Sequence, residues 1–201
     1  VLSDLQAARY VHGIAVHWYL DGLVPADLSL GTTHRLFPEY YLFGSEACVG
    51  SMPWDRGVWL GSWERGEQYS HDIMQDLNHY VTGWTDWNLA LDQGGGPNWV
   101  KNFVDSSVIV DASRDVFYKQ PTFYSIAHFS HTHCPQQVSD CPLSYPGTDQ
   151  RVPELTGCLS VSLSSGRSEE DLQFEVQDVG VGVIPAVSPA HSIMTLLWPR
   201  E

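Results

Sequence analysis

Tyr41–Gly50, YLFGSEACVG, decides the fold: an apolar run brings one carboxylate, Glu46, to its end and then opens into small residues. Strands of a parallel α/β sheet are covered on both faces, so they read as continuous apolar runs, and their chemistry sits at the C-terminal ends. Glu46 occupies such an end. Taken alone, a strand-end Glu more often caps the following turn or helix, so the reading rests on the neighbouring segments.

Two of them have the same shape. Val11–Asp21, VHGIAVHWYLD, is strand-like and ends in His17, Trp18 and Tyr19; Tyr80–Leu91, YVTGWTDWNLAL, ends in Trp84, Asp86, Trp87 and Asn88. Between them Ser62–His79, SWERGEQYSHDIMQDLNH, places Tyr69, Ile73, Met74 and Leu77 at the spacing of one helix face. The order is strand, loop, helix, repeated, as in an α/β barrel.

The residues also bear a family resemblance. YVHGIAVHWYLD, THRLFP, SEACVG, LGSWERGEQYSHDI, GWTDWNLAL, GGPNWVKNFVDS and FYKQPTFYSIAHFS, with SPAHSIMTLLW near the end, resemble the lysosomal acid β-glucosidases, also called glucocerebrosidases or glucosylceramidases. The likeness is nearly gapless over residues 1–130 and resumes at Phe174–Trp198. It implies an α/β plus β chain: residues 1–130 form the C-terminal part, strands six to eight, of a TIM (β/α)8 barrel, and residues 131–201 form an incomplete β-sandwich, with 131–168 divergent. It further implies a retaining glycosidase, a hydrolase of sphingolipid metabolism that splits glucosylceramide into glucose and ceramide. Such an enzyme needs no cofactor and no metal. It works in the lysosomal lumen, peripherally attached to the membrane surface, assisted by saposin C and anionic lipid.

By residue-to-residue match, Glu46 is the nucleophile at the end of the seventh strand. Tyr19 is expected beside it with His17, and Trp87, Asn102 and Phe103 are expected to line the sugar pocket and its mouth. A retaining mechanism fits one ionised carboxylate attacking the anomeric carbon, with a second, protonated carboxyl about 5 Å away. That second group is missing. The resembling family places it in an Asn-Glu pair at the fourth strand end, whereas the asparagines here are followed by His79, Leu89, Trp99 and Phe103. Val1 opens in the run-up to the sixth strand, so more than half of a barrel is expected to be absent.

The chain has 201 residues, whereas a TIM barrel usually takes about 250. Eight Trp, nine Tyr and seven Phe suit a large core or sugar-lined surfaces, and a part-barrel leaves some of them and a sheet edge uncovered. With 24 acidic against 10 basic residues the formal charge is -14, which excludes a phosphate-binding surface built on clustered Lys and Arg. No apolar run is long enough to span a bilayer. No Asn begins a glycosylation triplet.

Beyond residue 130 the reading is of short β runs at Leu159–Leu163, Val176–Ile184, Ala186–Ser188 and Ser192–Leu197, separated by Pro185 and Pro189. His131, His133, Cys134 and Cys141 could hold zinc, but they lack paired ligand spacing, and a linker is the plainer reading. The pairing among Cys134, Cys141 and Cys158 is undetermined; Cys48 is read as free. Asp86 is read as a holder of neighbouring loops, and Gly94–Gly96 as a flexible βα loop, since no P-loop Lys follows. The rival to the enzyme is an inactive fragment that retains a nucleophile and at most binds sugar or a partner weakly.

Overall fold

The computed structural model describes residues 1–130, 158–164, 168–178, 180 and 182–199. A short helix α1 (Leu5–Ala8), capped by the Asp4 side chain, leads into β1 (Gly13–His17) and a 3₁₀ turn at Trp18–Leu20. A π-helical turn (Asp27–Gly31) runs into α2 (Thr32–Leu36), followed by β2 (Tyr41–Ala47), α3 (Trp63–Asn78) and β3 (Val81–Asp86). Then come β4 (Leu91–Asp92), β5 (Val108–Asp111), β6 (Val116–Lys119) and α4 (Pro121–Ser130). The remaining strands are β7 (Cys158–Ser164), β8 (Leu172–Asp178), β9 (Gly182–Ser188) and β10 (Ile193–Pro199).

β1, β2 and β3 form one parallel sheet in chain order, joined by crossovers long enough for parallel strands. Leu42 and Val81 bury one face against Leu30. The helix α3 starts at Ser62, whose hydroxyl caps the backbone of Arg65, and it buries Tyr69, Ile73 and Met74 as the periodicity predicts. Leu77 is only half-buried, while Arg65, Asp72 and Asp76 are buried on the same helix. Gly66 lets α4 approach closely: a Cβ there would come within 2.8 Å of Pro121 Cβ. Ser125 Oγ donates to the Gly66 carbonyl at 2.7 Å across this contact.

The tail departs from the expected runs. Val176–Ile184 is not one strand but the closing part of the β8–β9 hairpin, in which Val176 and Ile184 are direct partners. Pro185 does not separate strands; it lies inside β9 opposite Glu175, a place open to Pro where no ladder N–H is needed. β7 pairs antiparallel with β10, and Phe174 and Val176 pack with Ile184, Met194 and Leu196 in an apolar cluster common to β8, β9 and β10. His131, His133, Cys134 and Cys141, and with them the zinc alternative, lie outside the described residues.

Between the sheet and α3, oxygens of Asp21, Asp72 and Asp76 lie within 4.8 Å of one another. Trp84 Nε1 donates to Asp72 at 2.9 Å. Burial, then the charge of Asp76, raises Asp72 to about 8; burial, then the charge of Asp21, raises Asp76 to about 7. In an unfolded chain these carboxyls titrate near 4, so the folded chain retains protons that the unfolded chain releases. The linked stability is complete below about pH 4 and is lost as pH rises through the raised folded values. The chain should melt at a higher temperature near pH 5 than near pH 8, and Asp76→Asn should flatten the difference. Equal melting temperatures for the unsubstituted chain would refute this.

Candidate active site

The pairing of β1 with β2 shows how the sequence delivers Glu46. Gly13 faces Tyr41 and Ala15 faces Phe43, so strict alternation would bring Ser45 opposite His17. Instead the register slips between Val16 and His17, and His17 pairs with Glu46. One extra residue in β2 re-aims every side chain after it. The bulge therefore sets Glu46 on the face of the sheet that bears His17. The β2–β3 register slips twice, between Leu42 and Gly44 and again between Gly44 and Ala47, leaving Ala47 opposite Asp86.

Tyr19, from the 3₁₀ turn after β1, donates its hydroxyl proton to Glu46 Oε1 at 2.9 Å. His17 Nε2 stands 3.8 Å from Glu46 Oε2. Tyr19 also lies 3.2 Å from Cys48 Sγ. Burial raises the Tyr19 phenol, and its contacts with Cys48 and Glu46 add to the rise, so it stays a protonated donor. The turn holding Tyr19 is fixed by its neighbour: Trp18 Nε1 donates to the Cys48 carbonyl at 3.2 Å, and the Trp18 ring meets Tyr69 edge to face at 5.2 Å. Cys48 is buried and unbridged.

Of the residues expected at the site, His17, Tyr19 and Glu46 come together. Trp87 sits on the next strand end, its backbone N–H donating to the Ala47 carbonyl at 2.9 Å, with its side chain 56% exposed. Asn102 and Phe103 occupy the loop between β4 and β5 and are not among the groups that hydrogen-bond Glu46. That loop is nevertheless tied to the segment after β2, because Asp105 N–H donates to the Val49 carbonyl at 3.0 Å. Asn98 braces it from within, its side chain bonding the backbone of Val100 and Asn102. Asp86 accepts from Tyr69 at 2.9 Å, from Ser107 at 2.7 Å and from the Trp87 N–H at 3.0 Å. It is a brace between α3 and the loops, as expected, and is itself raised by burial against these stabilising bonds.

Sequence reasoning missed the buried Arg65. Its guanidinium pairs with Asp105 and, at 2.5 Å, with Asp55; it donates to the Gly57 carbonyl at 2.8 Å and lies over the Trp59 ring at 4.6 Å. Asp105 also accepts from Trp59 N–H at 3.1 Å and from Gln120 Nε2 at 3.1 Å. Gly50, at φ +82°, is required here: a Cβ would meet Gly57 O at 2.5 Å. An Arg as the third residue of a capped helix reads as a surface residue, so nothing local signals the partner. Asp21, Asp72 and Asp76 were also missed; they are the described carboxylates whose spacing could hold a cation, and retained protons already relieve their repulsion.

The structure thus brings together a carboxylate at the end of a parallel strand, a histidine at the end of the strand beside it and a tyrosine from the turn that follows that strand. Residues 1–133 match the glycosyl hydrolase family 30 TIM-barrel domain, and the chain belongs to that family. It is 52% identical over 203 aligned residues to the lysosomal acid glucosylceramidase of Mus musculus; the match covers 100% of this chain but 39% of the relative. SrfJ from Salmonella typhimurium superposes with a TM-score of 0.77 at 23% identity, over 99% of this chain and 43% of its own. An endo-β1,6-glucanase does so with a TM-score of 0.81 at 23% identity, over 100% of this chain and 44% of its own. At that identity the two structures speak for the fold alone.

Removing one partner of a buried, hydrogen-bonded ion pair typically costs about 3–5 kcal/mol, because the other charge stays behind unpaired. Asp105→Ala should lose stability on that scale in urea unfolding, whereas Arg114→Ala, which removes an exposed guanidinium, should leave the urea midpoint nearly unchanged. Similar losses for the two variants would contradict the role given to Arg65 and Asp105.

Proposed function

We propose that this chain is the nucleophile-bearing part of a retaining β-glucosidase of the glucosylceramidase type, with β1, β2 and β3 as barrel strands six to eight and the tail strands as part of a β-sandwich. The observation that carries the proposal is the Tyr19 hydroxyl bond to Glu46 at 2.9 Å, at the C-terminal end of a parallel strand. It holds Oε1 and leaves Oε2, the oxygen facing His17, to attack the anomeric carbon. The covalent glycosyl ester so formed is hydrolysed when a second carboxyl, having protonated the leaving oxygen, activates water. Trp87, exposed at the neighbouring strand end, offers an aromatic face to the apolar side of a sugar ring, and Asn102 and Phe103 border the same mouth.

Glucosylceramide is the substrate this reading names, in a lysosomal setting at a membrane surface with saposin C and anionic lipid as partners. The name of the mouse relative supports the substrate and the compartment. Exposed Leu89, Trp99 and Val100, on the loops that also bear Trp87 and Phe103, supply apolar surface suited to lipid. Among the described residues, no helix is long and apolar enough to cross a membrane.

The sequence has no Asn-Glu pair of the kind that carries the acid/base in the resembling family, and this favours the reading that the 201-residue chain by itself is inactive. A general acid contributes typically about 10²- to 10⁴-fold. Assayed alone on a fluorogenic β-glucoside at acidic pH, the chain should show no turnover; turnover abolished by Glu46→Gln would prove that prediction wrong. In a longer form that supplies the second carboxyl, a mechanism-based glucosidase inactivator should label Glu46, and an adduct on a different carboxylate would overturn the assignment. In that form Trp87→Ala should raise KM more than it lowers kcat; a collapsed kcat at unchanged KM would contradict a binding role.

A further inference from the structure

We propose that Cys48 is a positioning residue for the nucleophile, acting through Tyr19; the proposal rests on Glu46 being that nucleophile. Tyr19 has one proton to give and two neighbours that could take it, Glu46 Oε1 at 2.9 Å and Cys48 Sγ at 3.2 Å. An ionised carboxylate only accepts, whereas a thiol can donate. The arrangement in which both contacts are hydrogen bonds is therefore one-directional: the Cys48 S–H donates to the Tyr19 oxygen, and the Tyr19 O–H donates to Glu46. A phenol that accepts a hydrogen bond becomes a better donor. The thiol thus both turns the hydroxyl rotor toward Glu46 and strengthens its grip.

The surroundings favour this role over reactivity. Cys48 is 3% exposed and packs with Leu91, Val104 and Ile109. Burial raises its thiol above the ordinary value, so it remains S–H and a poor nucleophile. Its backbone carbonyl accepts from Trp18 Nε1 at 3.2 Å, which anchors the turn bearing Tyr19 to the residue that directs the Tyr19 hydroxyl. The backbone segments that carry the two side chains are thereby held together.

Two measurements test it. In the present chain with Cys134, Cys141 and Cys158 replaced by alanine, Cys48 is the remaining thiol of the four cysteines. Its S–H stretch in the infrared should be shifted down from that of a free thiol and should return toward the free value in Tyr19→Phe; an unshifted band overturns the proposal, whatever the enzymatic activity. In the longer, active form, Cys48→Ala should lower kcat by about 3- to 10-fold with little change in KM, the effect of one neutral hydrogen bond. Cys48→Ser, which keeps a donor, should recover a large part of that loss. In a Tyr19→Phe background the Cys48→Ala effect should vanish; losses that multiply instead would show that Cys48 acts by packing alone. Should labelling place the nucleophile elsewhere than Glu46, the kinetic arm fails together with that reading, while the S–H band still reports on the Cys48–Tyr19 bond.

Discussion

The buried pair of Arg65 and Asp105 is the constraint on which the mouth of the site depends. Taking two charges out of water costs several kcal/mol per ion, and their attraction offsets that only when the remaining donors and acceptors are also met. Here nearly all of them are. Asp105 takes bonds from Trp59, Gln120 and Arg65, while the guanidinium also reaches Asp55 and the Gly57 carbonyl and lies over Trp59. Arg65 Nε is left without a partner among the described residues, so the aim of the group is set by its two terminal nitrogens. The pair fastens the segment after β2 on one side and the loop with Asn102 and Phe103 on the other, both carried from the first turn of α3.

The second constraint is the one-residue slip in β2. Its physical consequence is larger than its size, because strand side chains alternate with a period of two and one extra residue exchanges the faces. Before the slip, Leu42 lies in the layer between sheet and helices; after it, Ala47 returns to that layer with Trp18, Val49 and Tyr69. Glu46 consequently joins the face of His17, within reach of Tyr19. Asp86, opposite Ala47, is directed instead to Tyr69 and Ser107. Two strand-end carboxyls one strand apart thus receive different surroundings from register alone: Glu46 meets Tyr19 and His17, while Asp86 is consumed as a brace.

That division explains what the sequence could and could not disclose. Apolar runs ending in polar and aromatic residues located all three parallel strands and placed Glu46, His17 and Tyr19 at their ends, because strand periodicity and α/β connectivity are local properties. The helix face over Tyr69, Ile73 and Met74 was legible for the same reason. The slip in β2 was not, since Ser45 and Glu46 fit either alternation. Nor were the polar groups buried on α3: Arg65, Asp72 and Asp76 read as solvent-facing until partners distant in the chain arrive. In the tail, Pro185 suggested a boundary because a proline removes a ladder donor, yet an edge position tolerates that loss. The Val176–Ile184 run read as one strand because apolar residues on both arms of a hairpin merge when the turn between them is short.

The sheet itself is unfinished, and its surroundings show it. Among the described residues β1 and β3 each pair only with β2, which leaves one edge of each unpaired by a further strand of that sheet. A free edge in a parallel sheet is a template for another strand. Past the end of β3, against α4, lies a cavity of about 460 Å³ bordered by Asp86, Trp87, Ser107, Phe123 and Ile126. The buried Asn88 amide nitrogen, on the same lining, has no partner among the described residues. Such a group is expensive to leave unsatisfied. The open edges accord with a chain that spans 39% of its mouse relative. The braces built on Arg65 and Asp86 fix the strand ends from the loops and helices, so the local geometry around Glu46 is set by contacts within the described residues.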